Sequence, residues 1–268
     1  NINLNLKRKI VMKKILAVVC FSFLSLNFAN AEILSLGVSG NVGMLEASGK
    51  ETITGTSERS VSYGNNNTAT TAAGVESTSS TKGQEDIYIG YVSLFGEAHL
   101  FDSGLRVGLS YVPYALESET TANDRHDNCS AENSVNTGTN VCVNTKQTVQ
   151  IDVEDLVTMY VAYHHEIDLG VIDSVFIKAG IMEADVITKE KLASGSKYGN
   201  TTLEGQMIGL GVEKNMENGL FVRVEANMTE FDSIKLKNLE TDVDANKNTI
   251  DITGLDGATA TLSIGKSF

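Results

Sequence analysis

Alternating hydrophobicity with a period of two residues is the feature that most restricts what this chain can fold into. After residue 31, segments with an apolar residue at every second position alternate with polar connections, and such segments are typical of β-strands with one apolar face. Eight of them predict eight strands, each long enough to cross a bilayer at a tilt. We place these strands near residues 33–47, 85–101, 105–119, 149–165, 175–189, 201–214, 220–236 and 250–268.

The connections between the strands alternate between long and short along the chain. A polar tract over 48–84 is followed by a tight turn at 102–104, and the tract 120–148 by a turn near 166–174. This order predicts an antiparallel up-and-down barrel with large loops on one side and short turns on the other. The first tract has too few apolar residues for a core of its own, so we expect an exposed, mobile loop. Residues 52–63 could instead extend a strand outward or form part of a ninth and tenth strand.

The polar faces of these strands carry charges of both signs. Since an eight-stranded barrel is just wide enough for side chains to fill it, and buried charges persist when they are paired, we expect a salt-bridged plug. The alternatives are a gated or narrow pore lined by the same residues, or a soluble periplasmic barrel whose charges face water. The inward charges lie in the strand halves nearest the short turns: Glu97, Arg106, Lys178, Glu213, Arg223 and Glu225.

Residues 12–31 have the pattern of a signal peptide. Lys13 and Lys14 precede a short apolar segment that ends in the small-residue exit 29–31, which predicts cleavage before Glu32. We therefore expect 1–31 to be upstream residues and leader, and 32–268 to form the barrel. Cys20 as a lipid-bearing residue is the alternative, disfavoured because Val19 before it is not small. After residue 31 no apolar run is long enough for a membrane-spanning helix.

Charge and residue content disfavour several functions. Removal of 1–31 leaves 16 basic against 34 acidic residues, a net charge of −18, which repels nucleic acid. No serine, histidine and acid fall together near one rim, and His164 and His165 point to opposite faces, so we expect no enzyme activity and no cofactor. The segment 241–248 spaces oxygen ligands as a calcium loop does but lacks the glycine and glutamate of that motif, which predicts only weak ion binding.

Two cysteines remain in the mature chain. Cys129 and Cys142 are separated by 12 mostly polar residues, and an even count in an exported protein predicts one disulfide. Closing such a loop contributes about 3 kcal/mol. A zinc site is the alternative, for which His126 is the sole nearby companion.

The last strand carries a family resemblance. Its apolar face includes Leu262, Ile264 and the terminal Phe268, and a terminal aromatic resembles the C-terminal signal read by the barrel assembly machinery, although Lys266 departs from the usual apolar residue. With the leader and the alternating loops, the chain resembles the small OmpA/OmpX-like (opacity-type) bacterial outer-membrane barrels. It ends with the barrel, so the peptidoglycan-binding domain of OmpA itself is not implied.

The resemblance implies a location and partners. We expect a bacterial outer-membrane protein that contacts outer-membrane lipid and the barrel assembly machinery and has an internal charge network. Its function would be envelope structure and surface-loop interaction of the adhesion or receptor type, with extracellular or phage ligands bound through the loops. A narrow porin-like channel for small solutes is the alternative.

Overall fold

The computed structural model describes residues 33–57, 75–100, 103–118, 120–130, 141–167, 169–191, 197–237 and 247–268. For parts of the outer hairpins it describes the backbone alone. The upstream residues 1–11 and the predicted signal peptide over 12–31 lie outside the described residues, as do most of the calcium-like segment 241–248 and residues 58–74 of the first tract. In the described part of the chain, no helix is long and apolar enough to span a membrane.

Antiparallel pairing closes the described strands into a ring of eight. The order is β1, β2, β3, β6, β7, β8, β9, β11, and β11 pairs again with β1. β4 and β5 pair with β6 and continue the wall beyond β3, and β10 pairs with β11 beyond β9. The predicted eight-strand barrel is confirmed. The strands are β1 Leu34–Ser57, β2 Val75–Leu100, β3 Leu105–Tyr111, β4 Leu116–Glu117, β5 Thr121–Ser130, β6 Val141–Glu166, β7 Ser174–Lys191, β8 Thr201–Asn215, β9 Leu220–Phe231, β10 Ile234–Lys237 and β11 Lys247–Ser267.

The strands are tilted, as closure of a barrel requires. A path that starts at Met44 and steps from each residue to its paired residue on the next strand returns to β1 at Leu34. The register of the closed ring is therefore staggered by ten residues along β1. This stagger brings side chains that are distant in sequence to the same level of the lumen.

The prediction of an unpaired loop over 48–84 is wrong at both of its ends. β1 continues to Ser57 and pairs with β2 down to Val75, so residues 52–57 form the outward extension, and they add no further strand to the ring. β5 and β6 likewise extend into the predicted loop 120–148. Above the membrane both faces of a hairpin contact water, so pairing continues without the apolar alternation on which the prediction relied.

Two predicted strands are interrupted. The strand predicted over 105–119 ends at Tyr111 and resumes as β4 at Leu116, because Pro113 lies between them and has no N–H to donate. The strand predicted over 220–236 is divided into β9 and β10 at residues 232–233.

The lower part of the barrel, next to the short turns, has apolar residues outside and polar residues inside. Ile177 is 66% exposed on the outer surface, whereas Glu97 and Arg223 are 1% and 2% exposed in the lumen. A wall with this pattern is stable where hydrocarbon is the outer solvent, and closure gives each of the eight strands a neighbour on both sides. The fold is that of a transmembrane β-barrel of the outer-membrane type; the end with the short turns is called periplasmic and the end with the long hairpins extracellular.

The pattern reverses in the extracellular section of the same strands. On β7, Met182 and Ala184 face inward and are buried, while the acidic Glu183 and Asp185 alternate with them on the outer side. The inward side chains of this section belong to an apolar cluster whose lowest members, Tyr160 and Ala162, reach the level of the inward charges. The apolar cluster comprises Val112, Leu156, Tyr160, Ala162, Met182, Ala184, Val186, Tyr198, Leu203, Met207, Ile234, Leu236 and Leu255.

The short turns depend on residues that accept a positive φ. Gly104, between β2 and β3, has φ 74°, and a Cβ there would lie 2.2 Å from the carbonyl oxygen of His164. The Gly104 carbonyl in turn accepts a 2.8 Å hydrogen bond from the His164 amide, so this turn packs directly on the periplasmic end of β6.

Candidate functional site in the barrel lumen

Arg223 on β9 lies at the centre of the periplasmic half of the lumen. Its guanidinium donates to both oxygens of Glu97 on β2, at 2.7 and 2.9 Å. It also donates to Oε2 of Glu213 on β8, from Nε at 3.1 Å and from Nη2 at 2.7 Å. These three side chains are at most 2% exposed, so the two carboxylates replace the water that the cation would otherwise need.

Arg106 on β3 completes the network from the opposite wall. Its Nη1 and Nη2 donate to the two oxygens of Glu213 at 3.1 and 3.0 Å, and Nη1 lies 3.6 Å from Oε2 of Glu97. The Tyr160 hydroxyl donates to Oε1 of Glu97 at 2.8 Å. Two arginines and two glutamates therefore form a neutral layer across the lumen. We call Glu97, Arg106, Glu213 and Arg223 the charge layer.

Three aromatic rings surround the guanidinium of Arg223. Its Cζ lies 5.1 to 5.5 Å from their centroids, a distance at which a cation is attracted to the ring face. Each ring lies opposite a glycine on the neighbouring strand. A Cβ at that glycine would come within 2.5 Å of the ring, so the missing side chain leaves room for the ring. The pairs are Phe95 with Gly37, Phe176 with Gly211 and Phe221 with Gly265.

A second ion pair spans β8 next to the charge layer, joining the strands on either side of it. Lys178 on β7 contacts Oε2 of Glu225 on β9, and its Nζ lies 4.8 Å from the centroid of the Tyr160 ring. Tyr160 therefore touches both groups of charges, through its hydroxyl and through its ring face.

Neutral polar side chains occupy the middle of the lumen. Asn41 donates to Ser93 Oγ at 3.2 Å and accepts from Thr261 at 2.7 Å, and Asn227 donates to Thr261 at 3.2 Å. Ser39 and Ser263 are joined at 2.8 Å. These contacts link β1, β2, β9 and β11 across the interior.

A cavity of about 40 Å³ lies between the charge layer and the apolar cluster. Asn41, Asn227 and Lys178 contribute polar surface to it, and Met182 and Met207 contribute apolar surface. A space of this size is sufficient for a few water molecules. The lumen thus has three levels: charges at the periplasmic end, a small mixed cavity, and an apolar core at the extracellular end.

Two further ion pairs lie outside the membrane. At the periplasmic turn before β7, hydrogen bonds from Lys214 and from the Asn215 amide, both 2.7 Å long, hold the pKa of Asp173 below its usual value. In the extracellular section, burial alone would raise the pKa of Asp152, but the contact with Lys189 outweighs it and keeps that pKa low. These pairs fix a turn and a hairpin and lie apart from the lumen.

The structure places all six predicted charges in the lumen. Glu97, Arg106, Glu213 and Arg223 form the charge layer, and Lys178 and Glu225 form the separate pair beside it. Leu262 and Ile264 face outward in the apolar belt, as does Phe268, each being more than half exposed.

The predicted disulfide partners are adjacent in the sheet. Cys129 on β5 is directly opposite Cys142 on β6, and opposite residues of an antiparallel pair have Cα atoms about 4.5–5.5 Å apart, which a disulfide can span. Their side chains are not among those described, so the bond stays a prediction.

Several lumen residues were not predicted from the sequence. Tyr160 and the three phenylalanines were assigned to strands without a role, although their position opposite glycines is a pairing signal for aromatic residues on barrel walls. Asn41, Ser93 and Thr261 were also missed, because short polar side chains on an inward face carry no charge to mark them.

The charged side chains of the charge layer are engaged by partners from within the lumen. The carboxylates of the charge layer accept from arginine or tyrosine donors, and among the described residues no group of three or more His, Cys, Asp or Glu side chains is placed to hold a metal ion. His164 stacks on Phe176 with ring centroids 4.6 Å apart, which fixes its ring against the wall.

Comparisons with known proteins found no matching family model and no matching curated protein. Among solved structures, the fold is similar to Neisserial surface protein A (10% identity, 85% of this chain and 97% of that chain, TM-score 0.33). It is also similar to OprG from Pseudomonas aeruginosa (9% identity, 85% of this chain and 96% of that chain, TM-score 0.38). A third similar structure is the protease OmpT from Escherichia coli (9% identity, 87% of this chain and 97% of that chain, TM-score 0.34). At these TM-scores the barrel assignment rests on strand pairing within this chain.

Proposed function

We propose that the protein is a closed outer-membrane barrel, OmpA/OmpX-like in architecture, that contributes to envelope structure and presents its extracellular hairpins for interaction of the adhesion or receptor type. The observation that carries this proposal is the filled lumen. A neutral charge layer spans the periplasmic half, and the apolar cluster extends from its level into the extracellular section. Because an eight-stranded barrel is just wide enough for side chains to fill it, we infer that neither level leaves a continuous water-filled path.

The extracellular hairpins support the second part of the proposal. β1 and β2 stay paired to Ser57 and Val75, and β5 and β6 to Ser130 and Val141, so the wall rises well above the apolar belt. A paired hairpin presents a fixed surface, which lowers the entropic cost of binding. The partners we propose are extracellular or phage ligands at these hairpins, outer-membrane lipid at the belt, and the barrel assembly machinery during insertion. We propose no catalytic role.

A narrow channel for small solutes is the second candidate, and the internal cavity favours it. That cavity is separated from the periplasm by the charge layer, so conduction would require the Arg223 contacts to open. Buried pairs of this kind cost several kcal/mol to break when one partner is lost.

Planar-bilayer recording of the purified barrel tests the proposal. We expect no sustained single-channel steps, and folding is checked in the same sample by the different gel migration of unheated and boiled protein. Regular discrete openings in a fully folded sample would contradict the closed barrel and favour the channel.

A further inference from the structure

Three exposed apolar side chains lie in two neighbouring turns at the periplasmic end of the barrel. Leu169 and Val171 belong to the turn between β6 and β7, and Met216 begins the turn between β8 and β9. Their exposed fractions are 66%, 76% and 49%. The turns are neighbours because β7 and β8 are paired. We call these three residues the apolar foot.

Hydrogen bonds inside the first turn fix its shape. The Leu169 amide donates to the Ile172 carbonyl at 3.2 Å, and the Val171 amide donates to the Leu169 carbonyl at 2.9 Å. Gly170, between them, has φ 74°, a conformation that glycine adopts without strain. The turn therefore presents its two apolar side chains in one defined arrangement.

Lys214 holds this turn against the outer face of β8. Val212 lies opposite the exposed Val224, and Lys214 follows it by two positions, so its side chain leaves the same lipid-facing side of the strand. Its Nζ donates to the Gly170 carbonyl at 2.8 Å and to Asp173 at 2.7 Å. The tip of the turn therefore lies on the lipid side of the wall, and Asp173 neutralises the ammonium charge.

The apolar foot continues the apolar belt past this ion pair. On one side of the pair, Val175 faces outward opposite Val212. On the other side, the Met216 amide donates to the Leu220 carbonyl at 2.7 Å, and Leu220 is itself 37% exposed. Contiguous exposed apolar surface marks an interaction site. Here that surface joins the belt, whose partner is lipid.

A lysine and a terminal aromatic residue at the same end of the wall also suit a membrane surface. Lys266 lies opposite Leu220 on the outer face, and its Nζ is 5.3 Å from the centroid of the Phe268 ring. A lysine whose stem follows apolar surface and whose ammonium reaches its edge is typical of the headgroup level. Glu217, directly after Met216, is exposed, so water begins at the tip of that turn.

We propose that the apolar foot docks on the periplasmic leaflet of the bilayer, with Leu169, Val171 and Met216 inserted at the boundary between phospholipid headgroups and acyl chains. Lys214 and Asp173 hold the turn in this position, and their ion pair stays among the headgroups, outside the hydrocarbon. The foot thereby fixes the depth of the barrel on the side of β7 and β8. This inference goes beyond the proposed function and does not depend on whether the lumen is closed.

The absence of tryptophan from the chain allows a direct test. Val171→Trp places a single reporter in the foot, and Glu217→Trp places a matched reporter at an exposed polar residue of the neighbouring turn. Both barrels are reconstituted in phosphatidylcholine vesicles, with the water-soluble quencher acrylamide on both sides of the bilayer. We expect the quenching constant of Val171→Trp to be about threefold lower, because headgroups shield an inserted side chain. Leu169→Trp is a second reporter if Val171→Trp does not fold.

Quenching from the lipid side gives the complementary measurement. Phosphatidylcholine that is brominated near the headgroup end of its acyl chains should quench Val171→Trp and leave Glu217→Trp unchanged, since bromine quenches tryptophan on contact. Equal acrylamide quenching at the two positions, without quenching by the brominated lipid, would overturn the proposal and would indicate that the foot binds a periplasmic protein or remains in water.

A further pair of variants tests the part played by the ion pair. In the Val171→Trp background, Lys214→Gln weakens the contacts with Gly170 and Asp173, so acrylamide quenching should rise about twofold as the turn leaves the bilayer surface. Lys235→Gln, which breaks an exposed extracellular pair, should leave quenching unchanged. Protection that persists in Lys214→Gln would also overturn the proposal. Gel migration of unheated and boiled samples checks the folding of each variant.

Discussion

The membrane section and the extracellular section of this barrel are made from the same strands with opposite arrangements of polarity. On β7, Ile177 faces lipid and Lys178 faces the lumen; a few residues further along, Glu183 faces outward and Met182 and Ala184 face inward. On β9 and β11 the outer face likewise changes, from Met228 to Glu230 and from Ala258 to Asp256. The reversal occurs at one level of the wall.

This difference shows that the period of the hydrophobic pattern and the polarity of each face have separate causes. The period of two comes from the backbone, because successive side chains of a strand point to opposite faces. The chemistry of each face reports its solvent. Where lipid is outside, polar groups are confined to the lumen and must be paired; where water is outside, burial of apolar side chains stabilises the interior.

The largest loss of stability that we predict follows removal of a charge inside the lumen, compared with removal of a charge on the outer surface. Arg223→Ala leaves the buried carboxylates of Glu97 and Glu213 without their main partner, so we expect a loss of about 3–5 kcal/mol. Lys235→Ala is the matched control, since Lys235 forms an exposed pair with Asp251 at 2.9 Å in the extracellular section, and such pairs contribute about 0–1 kcal/mol. Urea unfolding, followed by gel migration, measures both. Equal losses would contradict the comparison.

An intermediate loss of stability is expected when a lysine is introduced on the outer face within the apolar belt, compared with one introduced just above it. Leu210 is 65% exposed in the middle of the apolar belt, and Leu210→Lys should cost about 2–4 kcal/mol because lipid cannot solvate the ammonium. Gln206→Lys, on the same face of β8 but beside Glu230, should cost about 0–1 kcal/mol. Unfolding from lipid vesicles measures the two values. A similar cost at both positions would place the membrane boundary elsewhere.

The smallest effect is a pH dependence of the extracellular section. The pKa of Asp152 is held below its ordinary value of 3.8 by Lys189, so its contribution is complete above that value and is lost as pH falls through the lowered pKa. We expect protease resistance of the β6 and β7 hairpin to be constant near neutrality and to fall below about pH 4. The effect is small because Lys189 is half exposed. In Asp152→Asn this acid-dependent step should be absent; its persistence would assign the step to another group.

Much of the barrel could be predicted because its signals are local. The faces of β7 and β9 were readable from alternating residues, and Glu97, Arg106, Lys178, Glu213, Arg223 and Glu225 were recognised because a charge on an inward face needs a partner. The hairpin extension of β1 was predicted only as an alternative, over 52–63, and the extension at residues 75–84 was missed, since strands with water on both faces show no alternation. The break at Pro113 was also missed, although the residue type alone indicates an end to pairing.

The sequence by itself determined the two faces of each membrane-spanning strand and their polarity and favoured eight strands, because these depend on neighbours along the chain. Only the tertiary structure decided that Arg223 joins Glu97, 126 positions away, while Lys178 pairs with Glu225. The ten-residue stagger of the closed ring and the width of the lumen decide which side chains meet across it, and both are set by all eight strands together. The point at which the ladder between β2 and β3 ends, at the pair Leu94 and Tyr111, has the same origin, since it depends on the register of two strands.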